Sequence, residues 1–159
     1  MKPYAQSVNE ASDYIARNQT ELERMRAIVE RLSDDELDQP VNGSWTIAAV
    51  LGHIAFWDGR ALFLAEKLQR GEPFTASDQE PEDADWINDS TRPLIHAIPG
   101  RQAAELALKM AERTDKLLAS LPPELVRRTW PADQSSPLNA SRSDHRGEHL
   151  DEIEAALAN

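Results

Sequence analysis

The chain has 159 residues, with 17 Lys plus Arg against 28 Asp plus Glu and a formal net charge of −11. That length suits a single domain over residues 1–159, and the acidity argues against a nucleic-acid partner or an anionic membrane surface. The absence of Cys excludes disulfides, thiolate metal ligands and a Cys nucleophile.

The first segment reads as a long helix. Val8, Ala11, Ile15, Leu22, Met25, Val29 and Leu32 follow steps of three and four, with Asn18 filling the one polar gap. Ser7 and Glu10 have capping-box spacing, and the acidic stretch SDDELD followed by Pro40 should end the helix.

Thr46 is a good N-cap for a second helix ending near Gly71, with Trp45 and Val50 at hydrophobic-staple spacing. This helix is apolar nearly all round, which places it at the centre of the domain or against a partner subunit, so a homodimer is expected. Its longest apolar run, IAAVLGHIAFW, is short for a membrane span, and MKPYAQSVNE has no signal-peptide stretch. Both point to a cytoplasmic protein.

Residues 72–90 read as a solvated acidic loop, followed by a short helical piece over about 86–97 and a Pro99-Gly100 turn. A third long helix is expected over 101–121, stopped by Pro122-Pro123. The aperiodic stretch PPELVRRTWPADQSSPLNAS has a length typical of connections that cover a functional site. A last helix should run from Ser141 or Ser143 to the C-terminus. No segment reads as a β-strand. Four long helices, with long loops after the second and third, imply an all-α, up-and-down four-helix bundle. A weak internal echo, LSDDEL against LPPEL, precedes the irregular stretch ahead of each His-bearing helix.

His145 and His149 are one turn apart on the last helix, on the stripe that continues to Ile153. Two imidazoles at this spacing can chelate one metal ion, although the spacing is also common by chance. His53 lies in the middle of the most apolar helix. A lone His there is read as a hydrogen-bonded core residue, but three inward-pointing His on two helices need only one bundle geometry to converge. Three nitrogen ligands leave positions open for water or substrate, as in catalytic sites. Zinc and nickel suit imidazole ligands.

Glu148 and Glu152 each follow a His by three residues, as supporting carboxylates or as part of a solvated face. Gly147 either permits close helix approach or is merely tolerated. Trp57, Asp58 and Arg60 line a pocket or serve packing and surface pairing. Trp45, Trp86 and Trp130 close the core or wall a pocket. His96 reads as structural or exposed. Nucleophile elbows, phosphate-binding Gly loops and dinucleotide fingerprints are absent from the sequence.

At these residues GSWTIAAVLGHIAFWDGRAL resembles the helix-two signature of the DinB-like superfamily, and SDHRGEHLDEIEAAL resembles its closing HxxxH helix. The resemblance implies a four-helix bundle, often dimeric, with a divalent metal on three His, here His53, His145 and His149. It also implies one of the family's activities: low-molecular-weight-thiol S-transfer or isomerisation with mycothiol or bacillithiol, or metal-dependent hydrolysis. Ala49 departs from the family, where an acidic residue is common three places after the helix cap. The expected function is therefore a metal-dependent hydrolase or thiol S-transferase acting on a small molecule. The alternatives are a non-catalytic binding or resistance module and a helical dimer with a structural metal.

Overall fold

The computed structural model describes residues 3–127 and 136–159, with side chains from residue 13 onward. Trp130 and the side chains of Ser7, Val8, Glu10 and Ala11 lie outside the described residues. Helix α1 spans Pro3–Arg31, α2 Asp34–Leu37, α3 Ile47–Gln69, α4 Asp85–His96, α5 Gly100–Ser120, α6 Pro123–Val126 and α7 Arg142–Leu157. The described chain is all-α apart from one small hairpin.

Four of these helices are long, and they pack in a ring: α1 on α5, α5 on α3, α3 on α7 and α7 on α1. The α3–α5 pair is the most extensive. Ala103, Ala104, Ala107 and Ala111 present a fully buried small face on α5, which lets the two backbones approach closely.

Helix α1 opens at Pro3, four residues before Ser7, so Ser7 and Glu10 do not mark its start. The capping box lies further on. Glu36 N donates to Ser33 Oγ at 3.1 Å and Ser33 N donates to Glu36 Oε2 at 2.8 Å. The acidic stretch thus folds as its own helical turn, α2, and the carboxylates of that turn suit its positive end.

Strands β1 (Pro40–Asn42) and β2 (Trp45–Thr46) pair antiparallel, against the expectation of no strand. They are too short to show a period in sequence. Asn42 Oδ1 closes the turn by accepting from the backbone N–H groups of Ser44 and Trp45. Thr46 then caps α3, accepting from Ala49 N at 3.1 Å. At the other end Gly71 takes φ +74° and stops the helix.

Helix α3 is long and apolar enough, by length and composition, to cross a membrane, but most of it is buried inside this protein. Sixteen of its 23 residues are buried, so one chain already covers most of its circumference. Phe56 and Phe63 are its exposed aromatics. The acidic loop is shorter than expected, because a 3-10 turn (Ala76–Asp78) and then α4 from Asp85 take up part of it. Helix α4 sits tightly on α3: a Cβ at Gly52 would lie 2.8 Å from Ile95 Cγ2.

The apolar core falls into two clusters. One contains Met25, Leu51, Ile54, Ala107 and Leu150; the other contains Tyr14, Leu64, Leu118 and Leu138. Between them, each long helix supplies a buried polar residue: Asn18, Asp58, Thr114 and Arg146. This layer sets the register of α7, the helix that carries two of the histidines.

Candidate metal centre

The buried polar layer is an ion-pair network. Asp58 on α3 accepts from Arg142 Nε through Oδ1 and from Arg146 Nε through Oδ2, each at 2.8 Å. Arg146 also forms a fork with Asp115 on α5, at 2.8 and 2.9 Å, and donates to the Asn18 carbonyl. Asn18 in turn accepts from Ser143 N and donates to the Ala140 carbonyl. Thr114 Oγ1 donates to the Asp58 carbonyl. Arg142 and Arg146 flank His145 in sequence, so α3, α1 and α5 all grip α7 around that histidine.

The grip aligns three imidazoles. His53 Nε2 and His145 Nε2 are 3.2 Å apart, and one ring nitrogen of each of His53, His145 and His149 lies within 4.8 Å of the others. The ring centroids are separated by 4.6 to 5.1 Å. The three candidate residues named from sequence therefore come together, and no other such cluster occurs among the described residues.

The donor set fits a divalent ion. Nitrogen ligands at about 2.05 Å from a tetrahedral zinc stand about 3.3 Å apart, close to the His53–His145 separation. His149 Nδ1 lies 3.0 Å from Glu152 Oε2. An ionised carboxylate only accepts, so Nδ1 carries the proton and Nε2 keeps its lone pair for a ligand role. Of the two supporting carboxylates considered from sequence, Glu152 makes this contact; Glu148 is exposed. The Nδ1 atoms of His53 and His145 are buried without a hydrogen-bond partner.

Burial and nearby positive charge keep the rings of His53 and His145 neutral. Burial pushes His53 down to about 4, helped by the nearby His149. Burial also pushes His145 down strongly, followed by the positive charge of Arg142 and the neighbouring histidines. A neutral imidazole is the form that binds metal.

The histidines line a cavity of about 500 Å³. Trp45, carried by the hairpin, packs edge-on to His53 with centroids 5.5 Å apart. Trp57 forms another wall, and its Nε1–H donates to Asn88 on α4. His96 is exposed; its Nε2 lies 3.0 Å from the Ser44 carbonyl, and its ring packs on Trp45 away from the cluster. Trp86 is exposed too, outside the cavity wall. Arg60 reaches the cavity, while Asp58 is fully buried rather than paired at the surface.

Sequence reasoning misses Arg142, Arg146 and Asp115. A signal is present: two Arg at i and i+4 bracket His145 on an inward stripe, and an acid sits inside the most apolar helix.

No curated protein and no solved structure matches the chain. The model of the DinB superfamily matches residues 17–143, a span that includes His53 and ends two residues before His145. With that match over most of its length and three histidines gathered at one cavity, the chain belongs to the DinB superfamily.

Proposed function

We propose that this protein is a cytoplasmic, metal-dependent enzyme on an up-and-down four-helix bundle of α1, α3, α5 and α7. It acts on a small molecule as a hydrolase or as a low-molecular-weight-thiol S-transferase, with zinc or nickel on His53, His145 and His149. The observation that carries this reading is the donor count: three histidines converge on the wall of an open cavity, and among the described residues no further His or carboxylate adds a ligand atom to their cluster. Structural zinc sites use four protein ligands, whereas three-ligand sites leave a position for water or substrate. A divalent ion bound there supplies Lewis acidity toward water or a thiol.

The chain's own residues have separate tasks in this reading. Glu152 fixes the tautomer and orientation of His149. Burial keeps His53 and His145 unprotonated. Trp45 and Trp57 limit water on two sides of the cavity. The Asp58 ion pairs hold α7 in register with α3.

The non-catalytic binding module is favoured by one observation. Glu152, the acid beside the histidines, is already bonded to His149, so it is not free to act as a general base. Cobalt substitution separates both of these open-site readings from a structural metal. With open coordination positions, azide or a thiol changes the visible spectrum at a constant metal-to-protein ratio. An unchanged spectrum would replace the enzyme reading with a structural metal.

A further inference from the structure

Arg142 and Arg146 lie one turn apart on α7 and share the carboxylate of Asp58, yet their outer edges differ. Arg146 commits every nitrogen: Nε to Asp58, Nη1 to Asn18 and Asp115, and Nη2 to Asp115. Arg142 gives only Nε to Asp58, and its Nη2 is buried with no partner. Its side chain is more than nine-tenths buried, and it lines the cavity that holds the three histidines. A guanidinium fork is matched best by a planar carboxylate. Asp115 supplies one to the Nη1–Nη2 edge of Arg146, and nothing among the described residues supplies one to that edge of Arg142, whose only carboxylate contact is Nε to Asp58.

The charges around the cavity are arranged by depth. Arg60 also reaches it; its hydrogen bonds go to the backbone carbonyls of Asp78 and Pro137, and the carboxylates of Glu80 and Asp78 stand near enough to act on its charge. The acids Glu80, Asp85 and Asp89 line the same cavity but are exposed. Two guanidiniums therefore stand deep and the exposed acids at the mouth, while the half-buried Glu152 is taken up by His149.

We propose that Arg142 is the anion-recognition residue of this cavity, and that the ligand is a small molecule with a single carboxylate head and a neutral or cationic tail. The carboxylate pairs with the Nη edge of Arg142 as Asp115 does with that of Arg146, once a turn of the guanidinium brings the buried Nη2 to the cavity, and the acidic mouth disfavours ligands with a second negative charge. His145 lies one turn from Arg142 on the same helix, so a carboxylate held there leaves the rest of the ligand beside the histidines. That this ligand is a substrate rests on the metal-dependent reading; that it is a carboxylate does not.

The test uses benzoate and benzamide, which share a shape and differ in charge, titrated into the protein with and without metal and followed by tryptophan fluorescence. Wild type should bind benzoate at least about tenfold more tightly than benzamide in both forms. Arg142→Lys keeps a charge for Asp58 but lacks Nη2, and should lose most of that ratio while benzamide binding stays unchanged. Nitrogen-15 spectra of the wild-type arginine side chains need no variant, and benzoate should shift one buried guanidinium. Equal binding of the two probes, no binding of benzoate, or a ratio that Arg142→Lys leaves intact would overturn the proposal. A benzoate preference seen only with metal bound and indifferent to Arg142→Lys would make the carboxylate a metal ligand, also against it. Failure of the protein to bind metal would sink the enzyme reading alone, and the benzoate ratio of the metal-free protein would still decide the role of Arg142.

Discussion

Arg146 Nε donates to Asp58 Oδ2 at 2.8 Å, and neither side chain has any exposed surface. The contact joins residues 88 apart in sequence and binds the helix of His53 to the helix of His145 and His149. Removing one partner of a buried pair leaves the other charge uncompensated, a loss of about 3–5 kcal/mol. Asp58→Ala leaves Arg142 without a carboxylate and Arg146 with Asp115 alone, so urea denaturation should show a loss in that range, with weaker metal binding as a consequence. A loss below about 1 kcal/mol would contradict this role for the network.

Gly147 sits between the two histidines of α7, and the space around it decides how it is read. A Cβ there would meet the Glu21 carboxyl at 3.5 Å, an ordinary contact. The glycine is therefore tolerated rather than required. Gly147→Ala should stabilise the protein by up to about 1 kcal/mol, the usual helix-interior difference. A raised urea midpoint with unchanged metal content is the expected result, and a lowered midpoint would mean that α1 and α7 need the glycine.

The His53–His145–His149 cluster is legible in sequence because its signals are local: an i, i+4 pair on an apolar stripe and a histidine inside an apolar helix. The four long helices are legible for the same reason, as is the Thr46 cap. The polar layer is half visible. Asn18 stands out as the one polar gap in the first stripe, and Thr114 lies on the third. Their joint meaning depends on how four helices stack, and no periodicity encodes that. The hairpin escapes because two short strands carry no pattern. Ser7 and Glu10 have the spacing of a capping box without marking a helix start, while Ser33 and Glu36, with the same spacing, form one.

Protonation supplies a pH dependence with a definite sign. His53 titrates at about 4 in the folded protein, against about 6.5 when unfolded. Between those values the unfolded chain holds a proton that the folded one lacks. This contribution is thus fully present above about pH 6.5 and is lost as pH falls toward 4, at up to about 1.4 kcal/mol per unit. His145 shifts the same way and adds to the loss. Urea midpoints of the metal-free protein should fall between pH 7 and 5, and His53→Gln should flatten part of that slope. An identical slope in both proteins would rule out His53 as a contributor.

The second subunit expected from sequence has less surface to cover than the apolar helix suggests. Phe56 and Phe63 lie two turns apart on one stripe of α3 and remain 38% and 54% exposed. We expect a homodimer through this stripe. Light scattering should give about twice the 17.8 kDa chain mass for wild type, and the chain mass for Phe63→Glu. A wild-type mass of 17.8 kDa at micromolar concentration would contradict the dimer.

The metal content of single histidine variants tests the central claim most directly. Wild type dialysed against zinc or nickel should hold about one ion per chain, and His53→Ala, His145→Ala and His149→Ala should each lose most of it while keeping their helical circular-dichroism signal. Glu152→Gln should bind the ion about 10- to 100-fold more weakly, as expected for a residue that orients a ligand. Metal content equal to wild type in all three folded histidine variants would contradict the account.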